Sequence, residues 1–197
     1  MELINSYLNY WAKKYIKKKR AEVIIVCGKK NNDLISFQVS NLLKNRKLLS
    51  IKASKKGNLA KKILNVKKIT NLVEFLAAPF EKSKDFDILV VNMPSGLCEE
   101  LCEIVKPAII IFTDSKSGKK NEENIIYLLR RMLKSGIAIF NSDDDLIRKL
   151  SYGGRWQRKT FGVHKDSMIK KSLKNGGAVY ALGIIYNLTA QEIEKAI

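Results

Sequence analysis

Residues 26–33 read Val-Cys-Gly-Lys-Lys-Asn-Asn-Asp, in the position where a strand–turn–helix frame would carry a phosphate-binding loop. The apolar run Val23-Ile24-Ile25-Val26-Cys27 stops at Gly28, and Leu34 to Leu43 follows with amphipathic helical spacing. A working loop of the form G-x-x-G-K-[ST] wraps phosphates in backbone N–H groups, sets a lysine on the β/γ-phosphates and a hydroxyl on Mg²⁺. Aligned on Gly28, the second glycine is Asn31, the lysine is Asn32 and the hydroxyl position is Asp33. What remains for an anion is Gly28, the cations Lys29 and Lys30, and the positive end of a helix. Asp33 in the first helical turn works against them.

Other residue types that do chemistry are sparse. His164 is the single histidine; it follows a short strand, with Lys165 and Asp166 beside it and no nucleophile nearby, and is expected to be exposed and without a partner. The acidic run Asp143-Asp144-Asp145 reads as a helix N-terminus, where carboxylates cap free N–H groups, in preference to a metal site. Trp156 between Arg155 and Arg158 suits either core packing or stacking on a base, and packing is the expectation. Cys27, Cys98 and Cys102 lie in or beside apolar segments with no C-x-x-C pair, so buried thiols in a reducing compartment are expected, with neither zinc nor disulfides.

These residues sit on a regular frame. Strands are expected at Val23–Cys27, Leu48–Ile51, Asp87–Val91, Ala108–Phe112, Ile137–Phe140 and Lys159–Gly162. Helices are expected over residues 2–20, Leu34–Leu43, Leu72–Leu76, Cys98–Val105, about Glu122–Lys134, and Asp143–Leu150. Lys52–Lys62 reads as a basic loop. Pro79 ends one helix, and Lys106-Pro107 introduces the fourth strand. Gly177–Tyr186 is apolar on most faces, and Thr189 with Glu192 forms a capping box for Ala190–Ala196. Continuous apolar strands separated by helices mark a parallel sheet covered on both faces. The fold class is therefore α/β, a doubly wound, mostly parallel, Rossmann-like sheet over residues 21–197, preceded by an amphipathic helix over residues 1–20.

The chain has 197 residues, 46% of them hydrophobic, enough for a substantial core. Its formal charge of +18 comes from 37 Lys+Arg against 19 Asp+Glu. Such charge suits nucleic acid or an anionic membrane. The lysines are nevertheless spread over nearly every loop, which equally fits compositional bias, so nucleic acid is not the favoured partner. The first helix places Leu3, Ile4, Tyr7, Leu8, Trp11, Tyr15 and Ile16 on one face, followed by Lys17-Lys18-Lys19-Arg20. That pattern lies on an anionic membrane surface or packs on the following domain, and packing is favoured. No apolar stretch approaches the roughly 20 residues of a membrane span and no signal-peptide core is present. A cytoplasmic protein is expected, with peripheral contact at the inner membrane surface as the variant.

The order of these signals resembles the central, ATP-binding domain of the Mur ligases, over roughly residues 21–197 and nearest to the branch that adds D-alanyl-D-alanine. The correspondence runs through the strand and loop Val23–Asp33, the strand, helix and Lys-Pro pattern of Asp87–Phe112, and the Gly-strand-N-x-D-D stretch Gly136–Asp144. It continues through the T-[FY]-G strand Thr160-Phe161-Gly162 and the stretch Asn175–Ile197, whose Asn175 matches a family asparagine that contacts adenine; a helix cap explains Asn175 equally well. The family's Mg²⁺-holding glutamate falls at Asn92. The metal-binding histidine has no counterpart in Thr113-Asp114-Ser115-Lys116, and the carbamylated lysine none in Ile125–Tyr127. The resemblance also implies that one helix replaces the N-terminal nucleotide-sugar domain and that the C-terminal domain is missing.

What the resemblance implies is a non-catalytic relative, a pseudoenzyme acting as a binding or scaffold module for an unknown protein partner, linked to cell-wall precursor synthesis. Alternatives are a divergent ATP-dependent ligase or nucleotide-binding subunit completed by another chain, and a basic nucleic-acid or membrane-surface protein. Gly28, Lys29, Lys30 and Asn175 are the vestigial nucleotide-binding residues, with no catalytic residue and no metal ligands. No cofactor is expected; ATP and Mg²⁺ belong only to the case in which nucleotide binding is retained.

Overall fold

A computed structural model describes residues 2–53, 59–64, 85–94, 104–115 and 119–197. The expected helix Leu72–Leu76, Pro79, residues 54–58 of the expected basic loop, and residues 98–103 of the expected helix Cys98–Val105, with Cys98 and Cys102, lie outside the described residues. Within them stands a six-stranded sheet: β1 (Glu22–Gly28), β2 (Leu48–Lys52), β3 (Ile88–Pro94), β4 (Ile109–Phe112), β5 (Ile137–Asn141) and β6 (Gln157–Phe161). The order across the sheet is β2-β3-β1-β4-β5-β6, and every neighbouring pair is parallel. β1 is central, with Ile24 opposite Val90 of β3 on one side and Ile109 of β4 on the other.

The four inner strands β3, β1, β4 and β5 alternate their side chains between two apolar layers, and the edge strand β6 adds Phe161 to one of them. One layer takes Val23, Ile25, Cys27, Leu89, Val91, Ile110, Phe112, Ala138 and Phe140. These meet helix α1 (Glu2–Lys19), α3 (Leu59–Ile63), α4 (Lys119–Arg131) and, through Ile147, α5 (Asp145–Leu150). The other takes Ile24, Val26, Ile88, Val90, Ile109, Ile111, Ile139 and Phe161 against α2 (Asn32–Leu42) and α6 (Gly177–Ile185). Burial on both faces is why the strands read as unbroken apolar runs. The doubly wound, parallel α/β architecture expected from the sequence is the one observed.

Two local expectations are refined and a third is met. The segment read as a basic loop over Lys52–Lys62 contains the short helix α3, whose Ala60 and Ile63 form an i, i+3 pair buried between lysines. α2 begins at Asn32, because the polar first turn is still helical. Helix α7 (Ala190–Glu194) carries the expected capping box: Glu192 N–H donates to Thr189 Oγ1 at 3.3 Å and Thr189 N–H to Glu192 Oε2 at 2.8 Å.

α1 packs its stripe on the sheet. Leu8, Ala12 and Ile16 are buried in the first layer, and the Tyr15 ring meets Phe86 edge-on at 5.8 Å. Its exposed side carries Tyr10, Lys13, Lys14, Lys17 and Lys18, and Arg20 follows in the turn. No helix among the described residues is long and apolar enough to cross a membrane.

The end of α1 is pinned by Asp85, which accepts from Lys19 and, at 2.8 Å, from Lys47 just before β2. The Lys19 and Lys47 ammonium groups together hold the Asp85 carboxyl down at about 2. A carboxylate depressed in the folded state adds stability that is present above its unfolded value near 4 and is lost as pH falls through its folded value. The urea midpoint of the wild type is therefore expected to fall between about pH 4 and pH 2 more steeply than that of Asp85→Asn. Because the pair is exposed, the difference should shrink in high salt. Identical acid limbs for the two proteins would remove Asp85 from the account.

Candidate functional site

β1 ends at Gly28 in the middle of the sheet, and the chain turns through Lys29, Lys30 and Asn31 into α2. In an open parallel sheet the crevice outside the carboxyl ends of the strands is where ligands collect. Here side chains from the neighbouring strand ends reach the loop and the first turn of α2. β4 lies beside β1 with Phe112 opposite Cys27, so Thr113 and Asp114 arrive against Gly28 and the loop. Thr113 is fully buried; its N–H donates to Cys27 O at 3.0 Å, and its own carbonyl accepts from Asn141 Nδ2 at 2.6 Å. Gly28 is needed for this close approach: a Cβ added there would fall 1.9 Å from Thr113 Oγ1 and 2.7 Å from Asp114 Oδ1.

The Asp114 carboxylate sits on the loop. It accepts from the backbone N–H of Lys29, from that of Lys30 (3.3 Å to Oδ1, 3.1 Å to Oδ2) and from Asn31 Nδ2 (3.1 Å). The side chains of Lys29 and Lys30 are exposed, so it is their backbone that faces the anion.

Immediately after it along the chain, two of the positions that depart from a working loop, Asn32 and Asp33, are bridged by Asn92 of β3. Asn32, which is buried, donates to Asn92 Oδ1 at 2.7 Å; Asn92 Nδ2 donates to Asp33 Oδ1 at 2.5 Å; and Lys52 Nζ reaches Asp33 Oδ2 at 2.6 Å. Lys52, then Asn92, hold the Asp33 carboxyl below the usual carboxylate range. Both ends of the Asn92 amide are engaged, and the Asp33 charge is matched by Lys52.

The acidic run after β5 behaves as a structural set. Asn141 Oδ1 accepts from Asp143 N–H at 3.1 Å, Asp144 caps α5 by accepting from Ile147 N–H at 3.0 Å, and Asp144 also accepts from Ser115 N–H at 2.8 Å. Asp143 Oδ1 takes the N–H groups of Val163 and His164 at 2.8 and 3.0 Å. Gly162 makes that loop possible, since its φ of 138° is one L side chains avoid and a Cβ would strike the Asp143 carboxylate. No cluster of potential metal ligands occurs among the described residues.

Two expectations are corrected. His164 has a partner: its Nδ1 accepts from Asp166 N–H at 3.2 Å and lies 3.5 Å from the Asp166 carboxylate, which also accepts from Tyr152 OH at 2.7 Å. Asn175 is not a helix cap. The cap of α6 is Gly176 in the left-handed conformation at φ 74°, a geometry a glycine adopts without the cost an asparagine bears, and Asn175 lies exposed in the turn before it. Gly28, Lys29 and Lys30 thus come together in the loop, while Asn175 belongs to the turn that leads into α6. Trp156 is half-buried against the first apolar layer, as expected, and Arg158 stacks on Tyr152 at 5.3 Å. Lys52 and Asp114 are the site residues whose roles the sequence did not disclose.

Neither a protein-family model nor a curated protein sequence matches this chain. Solved structures do. The chain is similar to the MurF ligase of Thermotoga maritima in complex with ADP, at 20% identity and a TM-score of 0.59, over 81% of this chain and 37% of that one. It is similar to the UDP-N-acetylmuramoylalanyl-D-glutamyl-2,6-diaminopimelate–D-alanyl-D-alanyl ligase of Acinetobacter baumannii, at 12% identity and a TM-score of 0.72, over 98% of this chain and 49% of that one. A third is the UDP-N-acetylmuramate:L-alanyl-gamma-D-glutamyl-meso-diaminopimelate ligase of Neisseria meningitides, at 10% identity, a TM-score of 0.55, and 95% and 67% coverage. The chain spans half or less of the first two structures. Identities this low establish a shared fold: the Rossmann-like α/β fold of the Mur ligase central domain.

Proposed function

We propose that this chain is a non-catalytic Mur ligase-like protein, a pseudoenzyme that serves as a binding or scaffold module connected with cell-wall precursor synthesis. The observation that carries this is the closed chain Lys52–Asp33–Asn92–Asn32. Phosphoryl transfer is achieved by positioning and by positive charge around the γ-phosphate, supplied by Mg²⁺ and lysine. The lysine position holds an amide, the hydroxyl position a carboxylate neutralised by Lys52, and the metal-holding glutamate position a second amide. Hydrogen-bonded to one another, they present neither a cation nor an open metal site. ADP binding and D-alanyl-D-alanine addition belong by name to the neighbours. The exposed cationic side of α1 is a surface whose charge suits an anionic partner.

Thermal unfolding with ATP or ADP, with and without Mg²⁺, tests this. A ligand at a hundredfold its Kd adds about 2.7 kcal/mol, which raises the Tm of a domain of this size by roughly 5–10 °C. The expected result is an unchanged Tm under all four conditions. A Mg²⁺-dependent rise with nucleotide overturns the reading in favour of a divergent ligase or a nucleotide-binding subunit completed by another chain.

A further inference from the structure

We propose that Asp114 is a built-in oxyanion that occupies the phosphate cradle from within, holding residues 28–31 in an anion-bound shape and closing the loop to outside phosphate. The proposal rests on the non-catalytic reading above, since a loop closed to phosphate does not seat a nucleotide, and its own test reads what fills the cradle. Three observations converge on it. Its donors are the groups that wrap an anion in loops of this form: two successive backbone N–H groups, of Lys29 and Lys30, at the entrance to an 11-residue helix, joined by Asn31 Nδ2. None of these donors is a cation, so the carboxylate is held as a phosphate would be, by oriented N–H dipoles.

The second observation is delivery. Thr113 is buried and tied at both ends, to Cys27 and to Asn141, so the acid that follows it is presented by fixed backbone across the β1–β4 register. The third is that Gly28 leaves open the space the acid needs, with any Cβ falling 2.7 Å from Asp114 Oδ1. Sequence positions 85 residues apart are thus fitted to one contact. A phosphate approaching the loop meets a carboxylate already on its N–H groups, and like charges at such range disfavour joint occupancy.

The test is anion rescue of Asp114→Ala, followed by thermal unfolding in chloride, inorganic phosphate or sulfate at constant ionic strength. Sulfate and phosphate stabilise proteins in general by exclusion from the surface, so the wild type supplies the baseline. The expected result is a Tm several degrees lower for Asp114→Ala in chloride and a saturable recovery of at least half that loss with phosphate or sulfate. The wild type should show only the shallow, non-saturating trend. Asp114→Asn keeps the volume and loses the charge, so it should be destabilised without rescue. If Asp114→Ala does not fold, amide exchange at Lys29 and Lys30 in Asp114→Asn is read instead, and should be at least tenfold faster than in the wild type. An unchanged Tm for Asp114→Ala, amide exchange in Asp114→Asn no faster than in the wild type, or the same saturable phosphate response in both proteins overturns the proposal.

Discussion

Gly28→Val is expected to destabilise the protein by about 3 kcal/mol, the upper part of the range for overpacking a well-filled site. The glycine is buried at the centre of the sheet, and the first added carbon falls 1.9 Å from Thr113 Oγ1. Thr113 cannot back away as a unit, because its backbone is bonded on one side to Cys27 and on the other to Asn141, and turning its side chain aside gives up the 3.4 Å contact of Oγ1 with Cys27 O. The damage should therefore spread to both strand ends and release Asp114 from the loop. Chemical denaturation measures the loss. Gly28→Ala gives a milder version, and adding Thr113→Ala to it should recover part of the loss, since the clashing oxygen is removed. Additive effects of the two substitutions, or a Gly28→Val protein as stable as the wild type, would show that the strand ends are looser than described.

The second large effect is expected at the stacked pair Phe112 and Phe140. They sit directly opposite each other on β4 and β5, with ring centroids 5.3 Å apart and planes 18° from parallel, and both are essentially fully buried. Phe140→Ala should cost about 3–5 kcal/mol, combining lost transfer energy with an unfilled cavity. For a domain of this size that lowers the Tm by on the order of 10 °C. The double mutant with Phe112→Ala should show a coupling of about 0.5–1.5 kcal/mol, the part specific to the ring pair. A loss under about 1 kcal/mol for Phe140→Ala would mean that the layer between the sheet and α4 collapses into the gap.

The architecture was legible because parallel strands covered on both faces announce themselves as unbroken apolar runs; Val23–Cys27, Asp87–Val91 and Ala108–Phe112 needed no further context. The loop's departures were equally plain, since Asn31, Asn32 and Asp33 follow Gly28 along the chain. What fills the loop was not. Asp114 acquires its role only because β4 is the neighbour of β1, and Lys52 and Asn92 meet Asp33 because β2 and β3 stack outward on the other side. Such contacts depend on strand order, which no local pattern encodes. The same limit hid α3, whose buried pair Ala60 and Ile63 is masked in sequence by lysines, and it left open for Asn175, beside the nucleotide-binding match, a cap role that Gly176 fills.

Across the Asn32–Asn92–Asp33–Lys52 chain and the Asp114 contact, one physical pattern recurs: positions that would face phosphate or metal are satisfied by the protein's own groups. Under the proposed reading a charged ligand is disfavoured at these groups, because each new contact must first break an existing one.

The most direct measurement is ADP formation by the purified chain incubated with ATP, Mg²⁺ and both substrates named for the Acinetobacter baumannii ligase, UDP-N-acetylmuramoylalanyl-D-glutamyl-2,6-diaminopimelate as the carboxylate that takes the phosphoryl group and D-alanyl-D-alanine as the amine. ADP accumulating no faster than in the protein-free blank is the predicted result. ADP that accumulates in proportion to protein concentration and requires Mg²⁺ would contradict it.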